Sequence, residues 1–113
     1  AVTAAAFSAD GRLLATGGAD DTIRIWRTSD WSLERELAGF SNGVASIAFS
    51  PDGTRLAAAT DVGLIRFWEP ASGQQVFALS ASEKGISKIA FAEGGKTLVS
   101  IGLDSKIRFW RSG

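Results

Sequence analysis

The chain has 113 residues, a length that suits one ordinary domain. Twelve Lys and Arg balance twelve Asp and Glu, and no run of like charge exceeds two, which excludes a basic surface for nucleic acid or for an anionic membrane. Because the sequence has no Cys and no His, it excludes disulfides, thiolate zinc sites and His-dependent catalytic triads, and we expect no cofactor.

The predicted elements follow one another in chain order as short strands. The first repeat gives "AAAFS", "RLLAT", "TIRIW" and "ERELA", separated by "ADG", a loop containing Asp and Gly, and "SDWS". The second gives "SIAFS", "RLAAA", "LIRFW" and "QVFAL", and the third gives "KIAFA", "TLVSI" and "KIRFW". These segments are rich in β-branched and aromatic residues and show no helical periodicity, so they predict an all-β chain.

A repeat of 42 residues organises these strands. Shifting the sequence by that interval aligns Trp26, Trp68 and Trp110 without any insertion. Since many strands are apolar on both faces, four-stranded antiparallel sheets that stack radially would bury both faces of each sheet. The predicted units are blade 1 at residues 1–43, blade 2 at 44–85, and blade 3 at 86–113, which lacks its outermost strand.

The repeats resemble the tryptophan–aspartate (WD) repeat β-propeller family over the whole chain. The segments "FSPDGTRLAAAT" at 49–60 and "DDTIRIW" at 20–26 carry this resemblance. A closed propeller needs at least about four blades, and this sequence holds fewer than three. The chain also begins at Ala1 and has no Met, so we expect a piece of a longer protein, either excised or designed.

The resemblance implies a stabilising network of His, Ser or Thr, Asp and Trp in each blade. The positions that match this network are Thr16, Asp20 and Trp26, then Ala58, Val62 and Trp68, then Ser100, Asp104 and Trp110. Blade 2 therefore replaces the network by apolar contact around Trp68. The sequence also departs from the family where Gly-His would precede the first strand, and where Asp would follow each Trp.

Other motifs have an alternative chemical interpretation. The segment "GGKT" at 94–97 is similar to the end of a phosphate-binding loop, but a strand follows it, so a hairpin turn is favoured. Asp20 and Asp21 could act as an acid–base pair or hold a cation, whereas the resemblance makes Asp20 structural. The Arg residues that recur at this interval could form an anion-binding ring, or they could be structural. These residues are Arg24, Arg66 and Arg108.

The resemblance implies that partners bind the end of the propeller where the first strands begin. The residues that match this surface are Thr3, Ala45 and Ser87 at the strand entrances, and Ala19, Asp61 and Leu103 in the loops after the second strands. Trp31 stands where the next repeat has Gly73, so the repeat does not require it. An aromatic ring in that turn could anchor a partner or shield the blade.

The sequence favours a non-enzymatic scaffold for protein–protein interaction. The alternative is a self-assembling fragment whose main partner is another copy, which gives a homo-oligomer; the other expected protein partner is the remainder of a longer propeller. An enzyme is disfavoured because Lys88 is the only ionisable residue in the predicted first strands. No apolar run approaches 18 residues, so we expect a soluble protein without membrane contact, with the cytoplasm as the favoured compartment.

Overall fold

The computed structural model describes residues 2–18, 22–37, 43–60, 63–70, 72–80, 85–92 and 97–111. These residues form strands and turns and contain no helix. Accordingly, they include no helical segment with the length and apolar character needed to cross a membrane. The predicted all-β class is confirmed.

Three antiparallel sheets follow one another along the chain. The first sheet contains β1 (Val2–Phe7), β2 (Leu13–Gly18), β3 (Ile23–Arg27) and β4 (Leu33–Leu37). The second contains β5 (Ser46–Phe49), β6 (Leu56–Ala59), β7 (Leu64–Trp68) and β8 (Gln75–Ser80). The third contains β9 (Ile86–Ala92), β10 (Thr97–Gly102) and β11 (Ile107–Arg111). The strands of each sheet pair in sequence order, as expected for blades, while the residue limits of the three blades stay a prediction.

Asp-centred turns connect the first and second strands of the first two sheets. In the second sheet, Oδ1 of Asp52 accepts hydrogen bonds from Oγ of Ser50 at 2.7 Å and from the amide of Thr54 at 3.0 Å. Gly53 follows with a φ of 76°, a left-handed conformation that glycine adopts without steric cost. Hydrogen bonds from the Thr54 amide and the Ser50 hydroxyl lower the pKa of Asp52 to about 2. This carboxylate is therefore part of the turn.

Each sheet has two faces, because successive side chains of a strand point to opposite sides. The forward face is the one directed toward the next sheet along the chain, and the rear face is the one directed toward the preceding sheet. The forward face of the first sheet presents Ile23 and Ile25, which are fully buried against Phe49, Leu56 and Trp68 on the rear face of the second. These residues form the first core.

A second core repeats this contact one blade later. Ile65 and Phe67 on the forward face of the second sheet pack against Ile89 and Leu98 on the rear face of the third. A hydrogen bond also crosses this junction, because the amide of Ile89 donates to Oγ of the buried Ser46 at 3.1 Å. The sheets thus stack through one kind of contact, used twice.

Candidate interaction surfaces

The forward face of the third sheet is open. Phe109 is 69% exposed, although Phe67, its equivalent one repeat earlier, is 6% exposed in the second core. Ile107 is likewise exposed where Ile65 is fully buried. Side chains of the type that forms both cores are therefore left in contact with solvent at this end of the stack.

The rear face of the first sheet is open at the opposite end. Phe7 is 60% exposed, whereas its equivalent Phe49 is 9% exposed in the first core. Trp26 is half-buried, and Trp68 at the same position of the second sheet is buried. The two ends of the stack are unlike each other, since one presents a forward face and the other a rear face.

Those predicted partner-binding residues that the structure describes lie at one end of the sheets. Ala45 precedes β5, and its amide donates to the carbonyl of Ala59, the last residue of β6, at 2.8 Å. Ser87 lies in β9 and donates from Oγ to the carbonyl of Ile101 at 3.1 Å. Leu103 is exposed, and its amide donates to the carbonyl of Gly85 beside the start of β9.

The remaining predicted residues of this surface are partly outside the described structure. Thr3 lies in β1, the first strand of its sheet. Ala19 and Asp61 fall outside the described residues, as do Asp20 and Val62 of the expected networks. The described part of this surface is thus Ala45, Ser87 and Leu103, with the backbone of Thr3.

Part of the expected Trp network is present in two sheets. Nε1 of Trp26 donates to Oγ1 of Thr16 at 3.1 Å, and Nε1 of Trp110 donates to Oγ of Ser100 at 3.1 Å. In the second sheet, Ala58 and Trp68 lie together in the first core. The stabilising role of these residues stays a prediction.

Asp104 is engaged by the strand that follows it. Its Oδ2 lies 2.8 Å from Nη2 of Arg108, and its Oδ1 accepts a hydrogen bond from the amide of Lys106 at 3.1 Å. The hydrogen bond from Arg108 is the main reason why the pKa of Asp104 is lowered to about 2. The structure therefore places Ser100 and Trp110 in one contact and Asp104 in a separate ion pair.

Ion pairing also bears on the proposed ring of Arg residues. Besides the contact between Arg108 and Asp104, Nε of Arg24 lies 3.6 Å from Oε1 of Glu36. Two members of the series thus have carboxylate partners inside their own sheets. This arrangement favours the structural interpretation over an anion-binding ring.

Trp31 and Gly73, its equivalent one repeat later, share a left-handed backbone conformation. The φ of Trp31 is 58°, and that of Gly73 is 76°; the amide of each donates at 2.8 Å to the carbonyl four residues earlier. The Trp31 side chain is 58% exposed, so the ring leaves more than half of its surface open. The alignment with Gly73 was the sequence feature that could have predicted the left-handed backbone.

The described residues contain no group of three acidic or metal-binding side chains that could hold a metal ion. Lys88 is exposed on β9, with a side chain on the open forward face. The described surfaces are therefore suited to binding through apolar and small polar side chains.

Two family models match the chain. The model "WD domain, G-beta repeat" matches residues 1–27, and the model "Anaphase-promoting complex subunit 4 WD40 domain" matches residues 31–94, which is more than half of the chain. The chain belongs to the WD40-repeat family. Members of this family are typically non-enzymatic scaffolds for protein interaction.

Solved WD40 propellers share the fold. The chain resembles the RRP9 WD40 repeats and U3-55K, each with a TM-score of 0.92 and 24% identity over 97% of this chain, and it covers 35% and 36% of those chains. The Myceliophteria thermophila Cps50 (Swd1) β-propeller domain gives a TM-score of 0.87 and 19% identity over 97% of this chain and 34% of that one. At these identities the likeness shows the fold alone.

Among curated proteins, Protein HIR1 of Mycosarcoma maydis is 56% identical over 27 residues, which are 24% of this chain and 3% of HIR1. The chain thus spans about a third of the solved propellers and a small fraction of this relative.

Proposed function

We propose that this WD40 segment is a non-enzymatic scaffold for protein–protein interaction. The observation that carries the proposal is the exposure of Phe109 at a position that is buried in the second sheet. Exposed apolar surface of this kind is typical of protein interfaces rather than of the solvent-exposed surface of a monomeric protein. The stack therefore ends in surfaces suited to binding protein.

A second docking region in this proposal is the end of the sheets where the first strands begin. Leu103 supplies an exposed apolar side chain there, and Ser87 supplies a small polar one. Ala45 and Thr3 continue this surface onto the neighbouring sheets, and Ala19 and Asp61 complete the proposed set from outside the described residues. Trp31 is a separate proposed anchor, because Trp is enriched among residues that dominate interface energy.

Site-specific photo-crosslinking tests the docking region. A photoreactive residue at Ser87 should capture a protein partner in an extract of the source cells. The matched control carries the same residue at Thr54, which is exposed in the turn at the opposite end of the sheets. Equal labelling from both positions would contradict a docking region at the strand entrances.

The proposal includes two kinds of protein partner. One partner is the remainder of a longer propeller, because solved propellers of this fold are about three times as long. The other is a second copy of the chain, favoured by the presence of one forward and one rear open face. The blade limits 1–43, 44–85 and 86–113, and a location in the cytoplasm, stay predictions.

A further inference from the structure

We propose that the hydrogen bond from Ile89 to Ser46 is a latch that holds the second and third sheets together, and that the first and second sheets separate more readily because the first sheet has alanine at this serine's position. The donor is the amide of Ile89 in β9, and the acceptor is Oγ of Ser46 in β5, at 3.1 Å. The two residues are only 3% and 8% exposed, so water competes little for either group. This inference concerns the opening of the stack and goes beyond the binding of a partner.

The strand pairing explains why the Ile89 amide is available to another sheet. The amide of Gly102 donates to the carbonyl of Lys106 at 2.9 Å, so the backbone groups of Gly102 face β11. Backbone groups alternate in direction along a strand, so those of Ser100 face β11 as well. Ile89 lies opposite Ser100 in the pairing of β9 with β10, and this pair therefore exchanges no backbone hydrogen bonds. The Ile89 amide thus points away from β10, toward the inner edge of the third sheet, which is the free side of its first strand.

Ser46 supplies the acceptor from the forward face of the second sheet. Its neighbour Ile47 lies in the first core on the rear face, and successive side chains of a strand point to opposite faces. A buried amide without an acceptor is costly, because it has given up its hydrogen bond to water. The Ser46 hydroxyl removes that cost only while the two sheets are in contact, so the bond opposes their separation.

The junction between the first and second sheets presents the same amide one repeat earlier. The amide of Thr60 donates to the carbonyl of Leu64 at 2.9 Å, so the backbone groups of Thr60 and of Ala58 face β7. Ile47 lies opposite Ala58 in the pairing of β5 with β6. The Ile47 amide therefore points to the inner edge of the second sheet, as the Ile89 amide does in the third.

The first sheet has no hydroxyl at the position that could accept from this amide. Ala4 is the equivalent of Ser46 and packs against the first core, but its methyl group accepts no hydrogen bond. The two junctions thus share their apolar packing and differ in the latch. We therefore expect the inner edge of the first junction to open at a lower free energy than that of the second.

The latch also lies beside the proposed docking region. Ser46 directly follows Ala45, and Ile89 lies two residues after Ser87. The bond between them fixes the separation of these two strand entrances across the second junction. This consequence rests on the proposed function, whereas the latch itself does not.

Hydrogen exchange followed by NMR on the 113-residue chain tests the latch. In the wild type, the Ile89 amide should exchange more slowly than the Ile47 amide. Ser46→Ala should accelerate exchange at Ile89 by about tenfold. The Ser100 amide faces β11 within the same sheet, so it is the internal control for global unfolding and should change much less. Unchanged exchange at Ile89, or equal acceleration at Ile89 and Ser100, would overturn the proposal.

Ala4→Ser is the converse test and adds a bond instead of removing one. Its hydroxyl should accept from the Ile47 amide and slow exchange there by about tenfold. Ala5→Ser is the matched control, because it places a hydroxyl on the opposite, open face of β1 and should leave Ile47 unchanged. Unchanged exchange at Ile47 in Ala4→Ser, or equal slowing in Ala5→Ser, would also overturn the proposal. Either failure leaves partner capture at Ser87 unaffected, so the scaffold proposal is tested separately.

Discussion

The indole Nε1 of Trp110 donates a 3.1 Å hydrogen bond to the hydroxyl of Ser100, which is 1% exposed. Trp26 makes the same bond to Thr16 at the equivalent position of the first sheet. Each bond joins the second strand of a sheet to the third. In the second sheet, Ala58 stands at this position and packs in the first core with Trp68.

Ser100→Ala should destabilise the fold by about 1–2 kcal/mol, because the Trp110 donor loses its acceptor in a partly buried place. For a domain of this size the melting temperature should fall by roughly 4–8 °C. Ser87→Ala is the matched control, since the Ser87 hydroxyl binds a carbonyl on an exposed part of the surface. Equal melting temperatures for the two variants would contradict a structural role for the Ser100 bond.

Gly17→Val should destabilise the junction between the first and second sheets. Its side chain would collide with Val44 and Ile47, and overpacking of this kind costs about 1–3 kcal/mol. Denaturant titration followed by circular dichroism measures the loss of unfolding free energy. Ala78→Val, which adds carbon at an exposed position of β8, should leave that free energy nearly unchanged. An unchanged free energy of unfolding in Gly17→Val would mean that the first and second sheets are less closely packed than the structure shows.

Trp31→Gly should leave the stability of the fold equal or raise it by up to about 1.5 kcal/mol. Relief of the left-handed backbone gains about 1–2 kcal/mol, and the added freedom of the unfolded chain costs about 0.5–1 kcal/mol. Gly73→Ala is the reverse test and should lower the melting temperature, because a residue with a Cβ is strained at the φ of 76° that Gly73 adopts. A clear loss of stability in Trp31→Gly would instead show that the ring shields the blade.

Acid should destabilise the protein between about pH 4 and pH 2. The folded-state pKa values of Asp52 and Asp104 are about 2, below the ordinary value of about 3.9. Their contribution is therefore complete above the ordinary value and is lost as pH falls through the folded value. Asp52→Asn should lower the melting temperature near neutral pH and flatten its decline in acid. An unchanged decline would contradict the role of the Asp52 turn.

The sequence predicted the strands and their repeat well, because burial against a neighbouring sheet imposes the same residue type every 42 positions. The bonds of Trp26 to Thr16 and of Trp110 to Ser100 also follow positions that the resemblance singled out. The bond from Ile89 to Ser46 could not be predicted, since the equivalents of Ser46 are Ala4 and Lys88 and no periodic feature marks it.

The close packing at the junctions needed the structure for a different reason. Gly17 and Ala59 align in the sequence, but only the packing shows that Gly17 lies against Ile47 and that Ala59 is buried in one core with Ile89. The partner-binding surface was predicted from the resemblance alone. Its position at one end of the sheets depends on strand pairing, which brings Ala45 next to Ala59.

Acrylamide quenching of variants that each retain one Trp tests the stack of sheets most directly. Trp31 should be quenched strongly at every protein concentration, and Trp68, which is 3% exposed, should be protected at every concentration. Trp26, which is half-buried, should be quenched less than Trp31 and more than Trp68. If Trp68 were quenched as strongly as Trp31, the account of stacked sheets would be contradicted.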